Sequence, residues 1–139
     1  MILLDTNVVS QAMKPDGDVN VRAWLSATIK SDVYLCAPVI AELRYGGERL
    51  PPGKKREFLL AACDIVENEK FAGRVLVFDQ LAAHHYARMR AQRDSVGMPL
   101  PVMDGIVAAI AAAHSMTLAT RNTRDFVDLG LSLVNPFAP

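Results

Sequence analysis

Five short apolar runs, separated by stretches with helical spacing, set the strongest limit on what this chain can fold into. They are Ile2-Leu3-Leu4, Val33-Tyr34-Leu35-Cys36, Val75-Leu76-Val77-Phe78, Thr117-Leu118-Ala119-Thr120 and Leu131-Ser132-Leu133-Val134. Runs without regular polar alternation suit strands buried on both faces, and such strands belong to parallel sheets. Between them the spacing predicts helices at Asn7–Met13, closed by Lys14-Pro15-Asp16-Gly17, and at Val19–Ile29, with Val21, Trp24 and Leu25 on one face. A third is expected from Val39 to Tyr45, opened by Pro38 and ended by Gly46-Gly47. Lys54–Asn68 follows the Leu50-Pro51-Pro52-Gly53 break, Gln80–Val96 starts at the capping Asp79, and Val102–His114 starts after Gly97-Met98-Pro99-Leu100-Pro101. Strands alternating with helices give an α/β class: a mostly parallel sheet flanked by helices on both faces.

With 139 residues, one domain over 1–139 is expected, large enough to bury its own core. Hydrophobic residues make up 51% and charged residues 22%, which excludes a disordered tail or a low-complexity array. Fifteen basic residues balance fifteen acidic ones, so a nucleic-acid partner has to be held by a local patch. The N-terminal apolar run is too short for a signal peptide, and Gly105–Ala113 falls far below the ~20 residues that span a bilayer. A soluble, cytoplasmic protein without a membrane partner is expected. Cys36 and Cys63 lack CxxC spacing, in keeping with a reducing compartment. His84, His85 and His114 show no HxxxH pairing, and there is no GxSxG, P-loop or GxGxxG. Met89, Met98, Met103 and Met116 read as core or interface filler.

The chemistry is carried by acidic residues. In an open parallel sheet ligands bind beyond the carboxyl ends of the strands. Asp5 directly follows the first run, and Asn122 and Asp125 follow the fourth, within Thr120-Arg121-Asn122-Thr123-Arg124-Asp125-Phe126. Asp104 falls in a helix that is apolar almost all round, and Glu42 among apolar neighbours in Val39-Ile40-Ala41-Glu42-Leu43; both read as first-turn residues. A helix cap for Asp5, a first-turn acid for Asp104, an exposed Glu42 and an Asx turn at Asn122 are the competing readings. Converging carboxylates repel by about 4 kcal/mol per pair at 4 Å and an effective dielectric of 20, so such a cluster requires a cation. Oxygen ligands favour Mg²⁺ or Mn²⁺.

Leu4-Asp5-Thr6-Asn7, Ala41-Glu42-Leu43, Asp104-Gly105 and Thr120–Phe126, in that order, resemble the PIN-domain ribonucleases, above all the VapC-type toxins of toxin–antitoxin pairs and their FitB-like subgroup. The resemblance covers essentially the whole chain. It implies a PIN-like five-stranded parallel sheet and a metal-dependent endoribonuclease. Asp5, Glu42 and Asp104 would be metal ligands, joined in catalysis by Asp125; Asn122 and Asp125 compete for the fourth position, and Thr6 and Thr120 would support. It also implies an RNA substrate, a cognate antitoxin that blocks the site with an inserted Arg, and a homodimer or a larger assembly with antitoxin. The apolar helices around Leu43 and Val19–Ile29 are the surfaces expected for dimerisation.

Basic side chains must offset such an acidic pocket. Arg121 and Arg124 are the expected RNA contacts, ahead of Arg44, Arg49, Lys54-Lys55-Arg56 and the Arg88, Arg90 and Arg93 group with Tyr86 as a stacking residue. Two rival readings remain. One is a non-catalytic PIN-like binding module. The other is a Mg-binding phosphoacceptor receiver domain, with Asp79 as its only candidate acceptor but no lysine after Lys70.

Overall fold

In the computed structural model, which describes residues 1–139, the first apolar run lies at the centre of the sheet. β1 (Ile2–Leu4) is followed by α1 (Thr6–Met13), α2 (Val19–Ala27), β2 (Val33–Cys36), α3 (Ala37–Glu48), α4 (Lys54–Ile65) and β3 (Val75–Leu76). Then come α5 (Gln80–Ser95), α6 (Val102–Ala113), β4 (Thr117–Ala119) and β5 (Leu133–Val134). All four strand pairings are parallel, in the order β3-β2-β1-β4-β5, with Ile2 opposite Val33 on one side and Thr117 on the other. Leu3, Leu35 and Leu118 are fully buried, as strands covered on both faces require. Right-handed crossovers then assign α1 to α4 to one face and α5 and α6 to the other. No helix is long and apolar enough to cross a membrane.

The expected elements are present, with shifted ends. β3 keeps only Val75 and Leu76, leaving Val77 and Phe78 exposed beyond the ladder. The Lys54–Asn68 helix leaves α geometry at Ile65 and continues as a wider turn over Val66–Lys70. Most informative is α3, which begins at Ala37 and runs through Gly46-Gly47 to Glu48. Gly47 is buried, and a Cβ there would come within 2.7 Å of the Leu60 side chain. The glycine that looked like a stop signal instead lets α3 and α4 approach closely.

α6 is the most enclosed helix, with Val107 to Ala111 at most 1% exposed. Gly105 on it is equally constrained, since a Cβ would stand 2.8 Å from the Tyr86 ring and 3.2 Å from Leu100. Alanine gains about 1 kcal/mol in helix propensity, but overpacking costs about 1–3 kcal/mol. Gly105→Ala is therefore expected to lower the melting temperature in a thermal unfolding scan; an unchanged or higher value would show that Tyr86 has room to move.

Candidate active site

The strand order reverses between β1 and β4, so their carboxyl ends open a crevice at a topological switch point. Asp5 lies at its floor. Its N–H donates to the Ala119 carbonyl (2.9 Å), one carboxylate oxygen accepts the Thr6 N–H (2.8 Å), and the other accepts the Thr120 hydroxyl (2.8 Å). Asp5 thus caps α1 and faces the crevice at once, and the two readings of it coexist. Thr120 is fully buried, and its hydroxyl oxygen also accepts the Asn122 N–H at 3.2 Å.

Glu42 is exposed on the second turn of α3, not the first, because the helix starts at Ala37. Its Oε1 accepts the Thr6 hydroxyl at 2.7 Å, so Thr6 links Asp5 through its backbone and Glu42 through its side chain. Asp104 is the third residue of α6 and half-buried. Burial is the main force pushing its carboxyl above the ordinary carboxylate range, followed by the negative charges of Asp5, Asp125 and Glu42. Carboxylates from three other segments of the chain therefore act on one group. None of the four joins an ion pair with a basic side chain, the pairs being Arg44 with Asp64 and Glu67, and Arg56 with Glu48. Their side chains do not stand as a closed metal cage of three. Excess negative charge, oxygen donors and the lack of a neutralising cation nonetheless match the needs of a hard divalent ion.

Asp125 is exposed on the short turn Thr123–Phe126, its N–H donating to the Asn122 carbonyl at 3.0 Å. Arg121 and Arg124 are exposed on the same stretch and line a groove of about 590 Å³ together with Asn122, Asp125, Asn135 and Phe137. The Arg121 guanidinium lies 4.8 Å from the centroid of the Phe137 ring.

Most of the other arginine candidates are engaged elsewhere. Arg44 and Arg56 are held in their ion pairs, Arg88 meets His85, and Arg90 donates to the Tyr86 hydroxyl at 3.2 Å. Tyr86 packs on Gly105 and, edge to face, on Phe78 at 6.1 Å, so it is a packing residue before it is a stacking platform. Arg93 is only 5% exposed and donates from one Nη to the carbonyls of Asp125 (2.8 Å) and Val127 (3.0 Å). It anchors the Asp125 turn, a role with no sequence signal because one Arg among three on a polar helix reads as surface. Phe137 was also missed; its signal was an aromatic just beyond the last strand. Asp79 caps α5 through the Ala82 N–H at 2.9 Å and follows the edge strand β3, two strands away from β1. That position removes the receiver reading, which needs an acceptor beside the other acids.

A parallel sheet with unneutralised acids at its switch point defines an α/β protein with an acidic crevice at the carboxyl end of its sheet. The sequence profile of the PIN domain matches residues 2–130. The chain is 42% identical over 137 residues to Toxin FitB of Neisseria gonorrhoeae (strain ATCC 700825 / FA 1090), covering 99% of each. It is 40% identical over 139 residues to VapC ribonuclease Y4jK of Sinorhizobium fredii (strain NBRC 101917 / NGR234), covering 100% of this chain and 99% of that one. A solved structure of FitAB bound to an IR36 DNA fragment superposes with a TM-score of 0.92 at 41% identity, covering 100% of this chain and 97% of that one. The chain belongs to the PIN-domain family.

Proposed function

We propose that residues 1–139 form one catalytic unit, an endoribonuclease that hydrolyses RNA phosphodiester bonds as the toxin of a type II toxin–antitoxin pair and is inhibited by a cognate antitoxin. The observation that carries this reading is the half-buried Asp104 under the charges of Asp5, Asp125 and Glu42 at the switch point. The ribonuclease named among its relatives, and the toxin and FitAB assembly to which it is similar, support the same reading. A cytoplasmic homodimer, or a larger assembly with the antitoxin, is part of the proposal.

Asp5, Asp104 and Glu42 would hold Mg²⁺ or Mn²⁺, with Asp125 rather than the uncharged Asn122 as the additional acid. Bound there, the ion would supply an acidified water and neutralise charge gathering on the scissile phosphate. The chain's own groups divide the remaining work. Thr120 fixes Asp5 by its hydroxyl, and Thr6 orients Glu42. Arg121 and Arg124 hold the RNA backbone, which the carboxylates alone would repel.

The test is cleavage of a mixed RNA pool by purified protein with Mg²⁺ or Mn²⁺, and with chelator. Cutting is expected with either ion and is expected to stop when the ion is removed. Undiminished cutting in chelator would overturn the metal assignment, and a folded, antitoxin-free protein that cuts nothing would favour a binding module.

A further inference from the structure

We propose that the groove between the exit of β4 and the C-terminal tail is a subsite for one unpaired nucleotide of single-stranded RNA, its base stacking on the Arg121 guanidinium that Phe137 backs. This rests on the ribonuclease reading and adds the place where a base is held and the residues that hold it.

Arginine in solution samples many rotamers, and ordering it costs affinity. Here the Phe137 ring lies 4.8 Å from the guanidinium, which holds the plane in place by a cation–π contact. The backbone that carries the ring is itself tied down. The Phe137 carbonyl accepts the Asn20 side-chain N–H at 2.9 Å, and the Phe137 N–H donates to Asn135 Oδ1 at 3.0 Å. Pro136 is buried, and the Ala138 N–H donates to the Asn135 carbonyl at 3.2 Å. Residues so near a terminus usually fray. These are tied to α2 and to their own turn, and form a wall.

Charge arranges the groove as well. Arg121 and Arg124 have no carboxylate partner, whereas Asp125 lines the same groove and acts on Asp104. A strand entering past the arginines reaches the acidic crevice directly. Cations hold phosphates, but a guanidinium plane backed by an aromatic ring offers a base-sized flat surface. A duplex keeps its base faces stacked and cannot use that surface; an unpaired base can.

The test measures fluorescence anisotropy of a short labelled single-stranded RNA on the chain carrying Asp104→Asn, which prevents cutting. A strand of equal length with abasic residues keeps the phosphates and lacks the bases. Phe137→Leu is expected to weaken binding of the intact strand about tenfold, leave the abasic strand unchanged, and be rescued by Phe137→Trp. Unchanged affinity for the intact strand, an equal loss on both strands, or an equal loss with Trp would each overturn the subsite. Should Phe137→Leu melt early, Arg121→Gln at an exposed position decides: the preference for intact over abasic strand is expected to collapse, and its persistence overturns the proposal. Cleavage by the unsubstituted chain is scored separately. Base-dependent binding without any cutting overturns the ribonuclease reading alone, and cutting with Phe137-independent binding overturns the subsite alone.

Discussion

Replacing Asp104 with Asn is expected to reduce RNA cleavage by about a thousandfold or more, a loss of ~4 kcal/mol or more of transition-state stabilisation, while raising the melting temperature. The two effects share one cause. Burial and the charges of Asp5, Asp125 and Glu42 raise the Asp104 pKa above that of a free carboxyl. Such a group contributes its stability below the unfolded pKa of about 4, and loses it as pH rises through the higher folded value. At neutral pH the ionised Asp104 therefore works against the fold, and an amide of the same shape removes that burden. The variant should gain more at pH 7 than at pH 4, where the carboxyl is increasingly neutral in both states. Melts at both pH values and a cleavage assay check the pair of outcomes. Full activity in the variant would sink the site assignment, and a lower melting temperature at pH 7 would sink the electrostatic account. Added Mg²⁺ should stabilise the parent and leave the variant unmoved, since ligand binding to the folded state alone raises apparent stability.

Arg93→Met is expected to have the largest effect on the fold itself. Arg93 is 5% exposed, with one Nη shared between the carbonyls of Asp125 and Val127 and the Nε without a partner. Methionine replaces the aliphatic stem but strands two carbonyls, at about 1–3 kcal/mol for each that is left unsatisfied. Roughly 3 kcal/mol in total corresponds to about 10 °C in melting temperature for a chain of this length. The turn released is the one that carries Asp125 next to Asn122, so cleavage should fall even at temperatures where the variant remains folded. Thermal scans and activity measured well below the melting point separate the two effects. A variant that melts with the parent would show that solvent can satisfy both carbonyls without cost.

The fold was legible because a strand buried on both faces leaves an unmistakable trace: Leu3, Leu35 and Leu118 sit inside short, nearly unbroken apolar runs. Asp5 was legible because a carboxylate that ends such a run has few places to go except the crevice. Asp104 stood out as the lone acid in an apolar helix. Elsewhere local pattern and tertiary packing disagreed. Gly46-Gly47 has the form of a helix stop, but Leu60 needed the space that Gly47 leaves. Arg93 and Tyr86 lie on a helix whose polar composition hides the two inward-facing side chains, and only the neighbours from α6 and the Asp125 turn reveal them. The partner of Thr6 was equally invisible, since its hydroxyl reaches 36 residues along the chain to Glu42.

The bond between Asp5 and Thr120 spans 115 residues. The first strand and its carboxylate precede α6, β4 and the Asp125 turn by about a hundred residues. A contact this distant in sequence carries a large loop-closure cost and forms late. The crevice is thus assembled from four segments far apart in sequence, those that carry Asp5, Glu42, Asp104 and Asp125. The crevice is therefore also among the first features a partly unfolded chain gives up, while helices held by local bonds can persist without it.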